Sequence, residues 1–109
     1  MYLIFDTETT GLPQNWKAPL TDFDNWPRCV QLAWQVHGVT GELIEVKNYI
    51  IKPEGYDIPY NAEKIHGIST DMALKKGVAL KDVLNEFLTD VPLNLKKINS
   101  TVMPIIVAV

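Results

Sequence analysis

Apolar and polar positions alternate along the first half of the chain and then change period. Residues 2–8 open on the run Tyr2-Leu3-Ile4-Phe5 and read as a buried strand. Residues 29–37, CVQLAWQVH, alternate as a second strand, with Trp34 expected in the core. Residues 42–52, ELIEVKNYIIK, give a third strand before Pro53. Gly38 and Gly41 bracket a short turn between the last two, which predicts an antiparallel hairpin. Beyond residue 60 the spacing becomes helical. Asn61 is placed to cap a short helix through Ile65 that stops near Gly67, and Ser69 or Thr70 to cap another ending at Gly77. Leu80, Val83, Leu84, Phe87, Leu88 and Val91 then form an apolar stripe, with Lys81, Asp82, Asn85 and Glu86 facing water. Pro92 is expected to end that helix. MPIIVAV, 103–109, reads as a fourth strand returning parallel to the first. Strands, helices and a returning strand predict an α/β domain.

The first strand ends in an unusual way. Asp6 and Glu8 lie one residue apart, so on a strand they leave on the same face while Thr7 leaves on the other. Two like charges about 6 Å apart repel by roughly 3 kcal/mol at an effective dielectric near 20. A divalent cation is the obvious compensation, and Mg²⁺ and Mn²⁺ are hard ions that favour carboxylate oxygens. As an alternative, the pair is an ordinary acidic strand exit. Gly11 and Pro13 then break the chain into a long connection, residues 14–28. Its Trp16 and Trp26 can stack on an unpaired base, though local packing that orders the loop is the more expected role.

Composition limits the partners. The chain has 109 residues, enough for one small domain, and 47% hydrophobic residues promise a packed core. A net charge of −3 and a pI near 5.2 exclude broad phosphate neutralisation as a way of holding nucleic acid. Any such contact must be local, with bound metal supplying positive charge. Cys29 is the only cysteine, so no internal disulfide forms and a reducing compartment fits. Asp6 and Glu8 interrupt any signal-peptide core, and Ile105 to Val109 is too short an apolar run to cross a bilayer. A cytoplasmic protein without a membrane role is expected.

The string FDTETTGL, residues 5–12, resembles the first motif of the DEDD superfamily of 3′–5′ exonucleases, which includes the epsilon proofreading subunit of DNA polymerase III. IHGIS, residues 65–69, resembles the His-Gly-Ile-Thr/Ser segment of epsilon-like members. The resemblance covers residues 1–91 and implies a truncated RNase H-like fold: a three-stranded antiparallel sheet, helices, and a fourth strand parallel to the first. It implies two-metal hydrolysis of a phosphodiester at a nucleic-acid 3′ end, with Asp6 bridging two Mg²⁺ or Mn²⁺ ions and Glu8 binding one. Thr7, Thr9, Thr10, Ile65 and His66 would contact the terminal nucleotide, and single-stranded DNA is favoured over RNA. A polymerase subunit is an implied partner.

The family's later acidic motifs, beginning with a Val-x-His-Asn-x-x-Phe-Asp pattern, do not occur in these residues, and 92–109 form a divergent tail. Weak or absent turnover is therefore expected from an incomplete domain spanning 1–109. A non-catalytic nucleic-acid or polymerase-binding module, or a half-domain completed by another chain, is the alternative. An exposed edge strand would also invite self-association.

Overall fold

The computed structural model describes residues 2–98, with side chains through Asp90. The fourth strand expected at 103–109 lies outside the described residues. Within them the order is β1 (Tyr2–Thr9), β2 (Cys29–His37), β3 (Leu43–Ile50), α1 (Tyr60–His66), α2 (Thr70–Lys76) and α3 (Leu80–Ile98).

The three strands form one antiparallel sheet in the order β1-β2-β3. Register follows from burial. Leu3 lies opposite Val36, Phe5 opposite Trp34 and Thr7 opposite Leu32, so the alternating apolar residues of β1 and β2 share one face. A slip of one residue would turn that whole set outward. α3 covers this face with Val83, which is fully buried, and with Phe87. The Phe87 ring meets Phe5 and Trp34 edge-on, with centroids 5.9 and 5.1 Å apart, a favoured aromatic geometry. The Trp34 indole N–H donates to Asp90 Oδ2 at 2.9 Å, which satisfies the one polar atom of the most central side chain.

A second cluster sits at the end of the sheet, where Val30, Ile58, Ala62, Ile68 and Ala73 pack α1 and α2 against the strands. Val78 then runs alongside Ile51: its N–H donates to the Ile50 carbonyl, and its own carbonyl accepts from Lys52 N.

Two helix boundaries differ from expectation. Asn61 is not the cap of α1. Pro59 holds that position, and the Asn61 Oδ1 accepts only from the adjacent Ala62 N–H. The ring holds Pro59 at φ −62°, already close to helical, while its ψ of 145° keeps it outside the helix, which makes it a natural start. Ser69, not Thr70, caps α2 by accepting from Met72 N at 3.0 Å, while Thr70 Oγ1 accepts from Ile58 N. Pro92 does not end α3, whose backbone stays helical to Ile98. A proline inside a helix removes one hydrogen bond but need not terminate it when the next turn closes.

The apolar stripe of α3 is only partly covered. Leu80, Leu84 and Leu88 are exposed among the described residues, because the sheet meets only the Val83–Phe87 side. No helix of the described residues is long and apolar enough to cross a membrane.

Candidate nucleic-acid end and metal site

β1 carries its carboxylates on the face opposite α3. Asp6 pairs across with Ala33 and Glu8 with Gln31. At Glu8/Thr9 the pairing shifts by a bulge, which re-aims the strand end. Thr10 N then donates to the Arg28 carbonyl and Arg28 N to Thr10 Oγ1, closing the long connection at its base. Gly11, at φ +155°, takes a conformation that L side chains rarely adopt and turns the chain away. Inside the connection, buried Asn25 exchanges two hydrogen bonds with the backbone of Asn15.

α1 supplies the opposing wall. Gly67 adopts a left-handed C-cap at φ +76° and donates to Glu63 O at 2.7 Å, stopping the helix so that His66 ends it. The two walls enclose a hollow of about 470 Å³ lined by Thr7, Glu8, Thr9, Thr10, Ile65 and His66, together with Leu12 and Asn61. Every residue assigned from the sequence to nucleotide contact therefore reaches one cavity, with Glu8 among them. Sequence reasoning gave four other lining residues no contact: Gly11 was read as a turn, Asn61 as a cap, Leu12, 79% exposed, only as the end of the FDTETTGL string, and Ala62 not at all.

Asp6 lies elsewhere. It lines a shallower concavity of about 260 Å³ on the open sheet face with Ile4, Ala33, Val46 and Asn48. The carboxylates share a face, yet the hollows beside them differ. Asp6 Oδ1 is buried and accepts no hydrogen bond from the described residues. A buried acceptor without a donor costs about 1–3 kcal/mol, and a hard cation would remove that cost. The donor chemistry of Asp6 and Glu8 thus fits such an ion. No group of three or more His, Cys, Asp or Glu side chains able to hold a metal occurs among the described residues, so a two-metal cluster is not formed by them.

His66 has a defined polarity. Its Nδ1 accepts from Ile68 N at 3.1 Å, so the ring hydrogen resides on Nε2. That Nε2 is buried and has no partner among the described residues, which makes it a donor open to an acceptor. A donor suits a phosphate or sugar oxygen, and it is the wrong polarity for a base acting at that atom.

Of the loop aromatics, Trp26 packs locally, its Nε1 donating to the Pro19 carbonyl at 3.0 Å, whereas Trp16 and Phe23 are 70% and 76% exposed. Trp34 is core, as expected, and His37 closes the β2–β3 turn through Gly41 O.

No model of a known protein family matches the chain, and no curated protein matches it in sequence. Solved structures do. Escherichia coli exonuclease I bound to a dA16 oligonucleotide superposes with a TM-score of 0.63 at 22% identity, over 81% of this chain and 17% of the exonuclease. A full-length 3′-exonuclease matches with a TM-score of 0.57 at 12% identity, over 99% of this chain and 34% of that one. A 3′-exonuclease engaged in specific recognition of the histone mRNA stem-loop 3′ end gives the same score and identity over 47% of its length. The chain thus has the α/β, RNase H-like fold of exonuclease domains and spans less than half of each of these proteins.

Proposed function

We propose that these residues form the end-binding half of a metal-dependent 3′–5′ exonuclease site of the DNA polymerase III epsilon type, acting on single-stranded DNA 3′ ends. The observation that carries this is the shared hollow of Glu8, the Thr7–Thr10 segment, Ile65 and His66.

Each group has a role the geometry permits. Ile65 offers an apolar wall to a sugar or base, and the His66 Nε2–H donates to an oxygen of the terminal nucleotide. Backbone at Thr9 and Thr10 lines the same space. A phosphate brought toward Asp6 and Glu8 would meet two carboxylates and be repelled, so the approach needs an intervening cation. Asp6 and Glu8 would hold it, and Mg²⁺ or Mn²⁺ there supplies the positive charge that polarises a scissile phosphate. A polymerase subunit as partner, and a role in proofreading, follow from the epsilon-like motifs alone.

A second reading has its own support. The absence of a third metal-ligating side chain among the described residues favours binding without turnover, or completion of the site by further acidic residues from another chain. Calorimetry with MnCl₂, paired with anisotropy of a fluorescein-labelled single-stranded oligonucleotide, separates the outcomes. We expect manganese uptake that Asp6→Ala and Glu8→Ala abolish, oligonucleotide binding that requires manganese and weakens in His66→Ala, and negligible nucleotide release. Robust release that survives Asp6→Ala, or no manganese uptake at all, would refute the assignment.

A further inference from the structure

The outer edge of β3 is built to pair with a second copy of itself. Hydrogen-bond parity decides which backbone groups are free. Ile51 N donates inward to the Val30 carbonyl, whereas the Ile50 carbonyl and Lys52 N point outward to Val78. Inward and outward residues alternate along an antiparallel strand. Val46 and Asn48 therefore aim both their N–H and C=O groups away from β2. Among the described residues β3 has no further strand beside it in the sheet, and Val78 covers only its last residues.

We propose that β3 pairs antiparallel with β3 of a second copy, about a two-fold axis at Val46. Three observations single out this register. First, an axis through Glu45 or Lys47 would set that charge against its own copy, which leaves the outward residues Ile44, Val46 and Asn48. Second, an axis at Asn48 would drive the partner strand into the Val78 segment. Third, only the axis at Val46 sets Glu45 of each copy across from Lys47 of the other. Those pairs fall at non-hydrogen-bonded positions, where side chains approach most closely.

The charges are available for that contact. Among the described residues Glu45 has no hydrogen bond or ion pair. Lys47 lies 3.9 Å from Glu86 and 3.7 Å from Asp90, both beyond hydrogen-bonding distance. Asp90 takes its closer donor from Trp34. Lys47 thus keeps donors for the incoming Glu45, on a side chain 25% exposed. Val46 would meet its own copy on the open face, where it is 53% exposed as a monomer. Isologous pairing of this kind closes after two copies and leaves no growing edge at β3. It is independent of any activity at Asp6 and Glu8.

Cysteine crosslinking reads the register directly. In a hydrogen-bonded antiparallel pair the Cα atoms lie about 5.5 Å apart, within disulfide range. Val46→Cys should form a covalent dimer under mild oxidation. Ile44→Cys should not, since its copies would sit about 13 Å apart along the partner strand. The parent chain, with Cys29 alone, is the control. Sedimentation should show concentration-dependent dimers that weaken about tenfold or more in Val46→Pro, which removes two intermolecular hydrogen bonds and none from the β2 ladder. Glu45→Lys should weaken them comparably, and added salt should do so progressively. A parent chain that stays monomeric at hundreds of micromolar, or Ile44→Cys crosslinking as fast as Val46→Cys, would overturn the proposal.

Discussion

Replacing Asp6 by Asn should stabilise the metal-free protein, which is the reverse of what a carboxylate with a structural role would show. The Asp6 Oδ1 atom is buried and has no hydrogen-bond partner among the described residues, at a cost of about 1–3 kcal/mol. Glu8 leaves the strand on the same face two residues on, about 6–7 Å along the backbone. Their repulsion is screened because both side chains are half-exposed, so it adds less than about 1 kcal/mol. Neutralising Asp6 relieves part of each, for a net gain of about 1–2 kcal/mol in a chelating buffer. For a domain of this size, each kcal/mol moves the melting midpoint by about 4–8 °C. Manganese must reverse the order: at a hundred times its dissociation constant an ion that binds only the folded parent adds about 2.7 kcal/mol, and it adds little to the variant. Thermal melts of both proteins in EDTA and in a manganese series measure the two gaps. If Asp6→Asn melts lower than the parent in EDTA, or if manganese shifts both equally, the carboxylate is a structural group and the cation argument fails.

Two further changes probe the scaffold. Trp34→Phe removes the indole donor to Asp90 and part of the packing against Phe87. It should cost about 2–4 kcal/mol in urea unfolding with an unchanged slope, and a loss below 1 kcal/mol would show that the core repacks freely. Burial pushes the Cys29 thiol up from its ordinary range, against a smaller opposing effect from the Gln31 backbone. The unfolded thiol then ionises first, so stability should fall as pH rises through the ordinary thiol range. Cys29→Ala should flatten that slope, and folded Cys29 should alkylate at pH 8 at least about tenfold more slowly than the unfolded chain.

What the sequence made legible was periodicity, and what it hid was the cover over each surface. β2 was readable to the residue because a two-residue alternation from Cys29 to His37 survives in a strand buried on one face. The three α3 leucines at 80, 84 and 88 obey the same helical spacing as Val83 and Phe87, yet they lie beyond the width of the sheet. A pattern gives the angle of a side chain around its axis and is silent on how far the neighbouring layer extends. Pro92 illustrates a similar gap, since a local penalty of about 3 kcal/mol ends a helix only if nothing continues it. The hollow was legible for a different reason: Thr7 to Thr10 and Ile65 to His66 came from a motif resemblance that joins residues far apart in the chain. Alternation alone put Asp6 and Glu8 together on one face. It could not show that the Gly11 turn and α1 wall off Glu8 while leaving Asp6 on the open sheet.

That separation bears on how the site divides its work. The walls of the Glu8 hollow come from the β1 exit and from α1, and they present one donor, an apolar side chain and backbone to whatever enters. On the proposed reading these would grip a nucleotide end. Hydrolysis asks for more, because two divalent ions bring +4 against the −2 of Asp6 and Glu8, and oxygen ligands beyond those two must complete each coordination sphere. The open face beside Asp6 is where such ligands have room to arrive, over Ile4, Ala33 and Asn48. On the proposed reading, affinity for an end and competence to cleave it would rest on different surfaces of β1. A change confined to α1, such as His66→Ala, should weaken end binding while leaving manganese uptake by Asp6 and Glu8 intact, and loss of both together would mean that the two surfaces act as one.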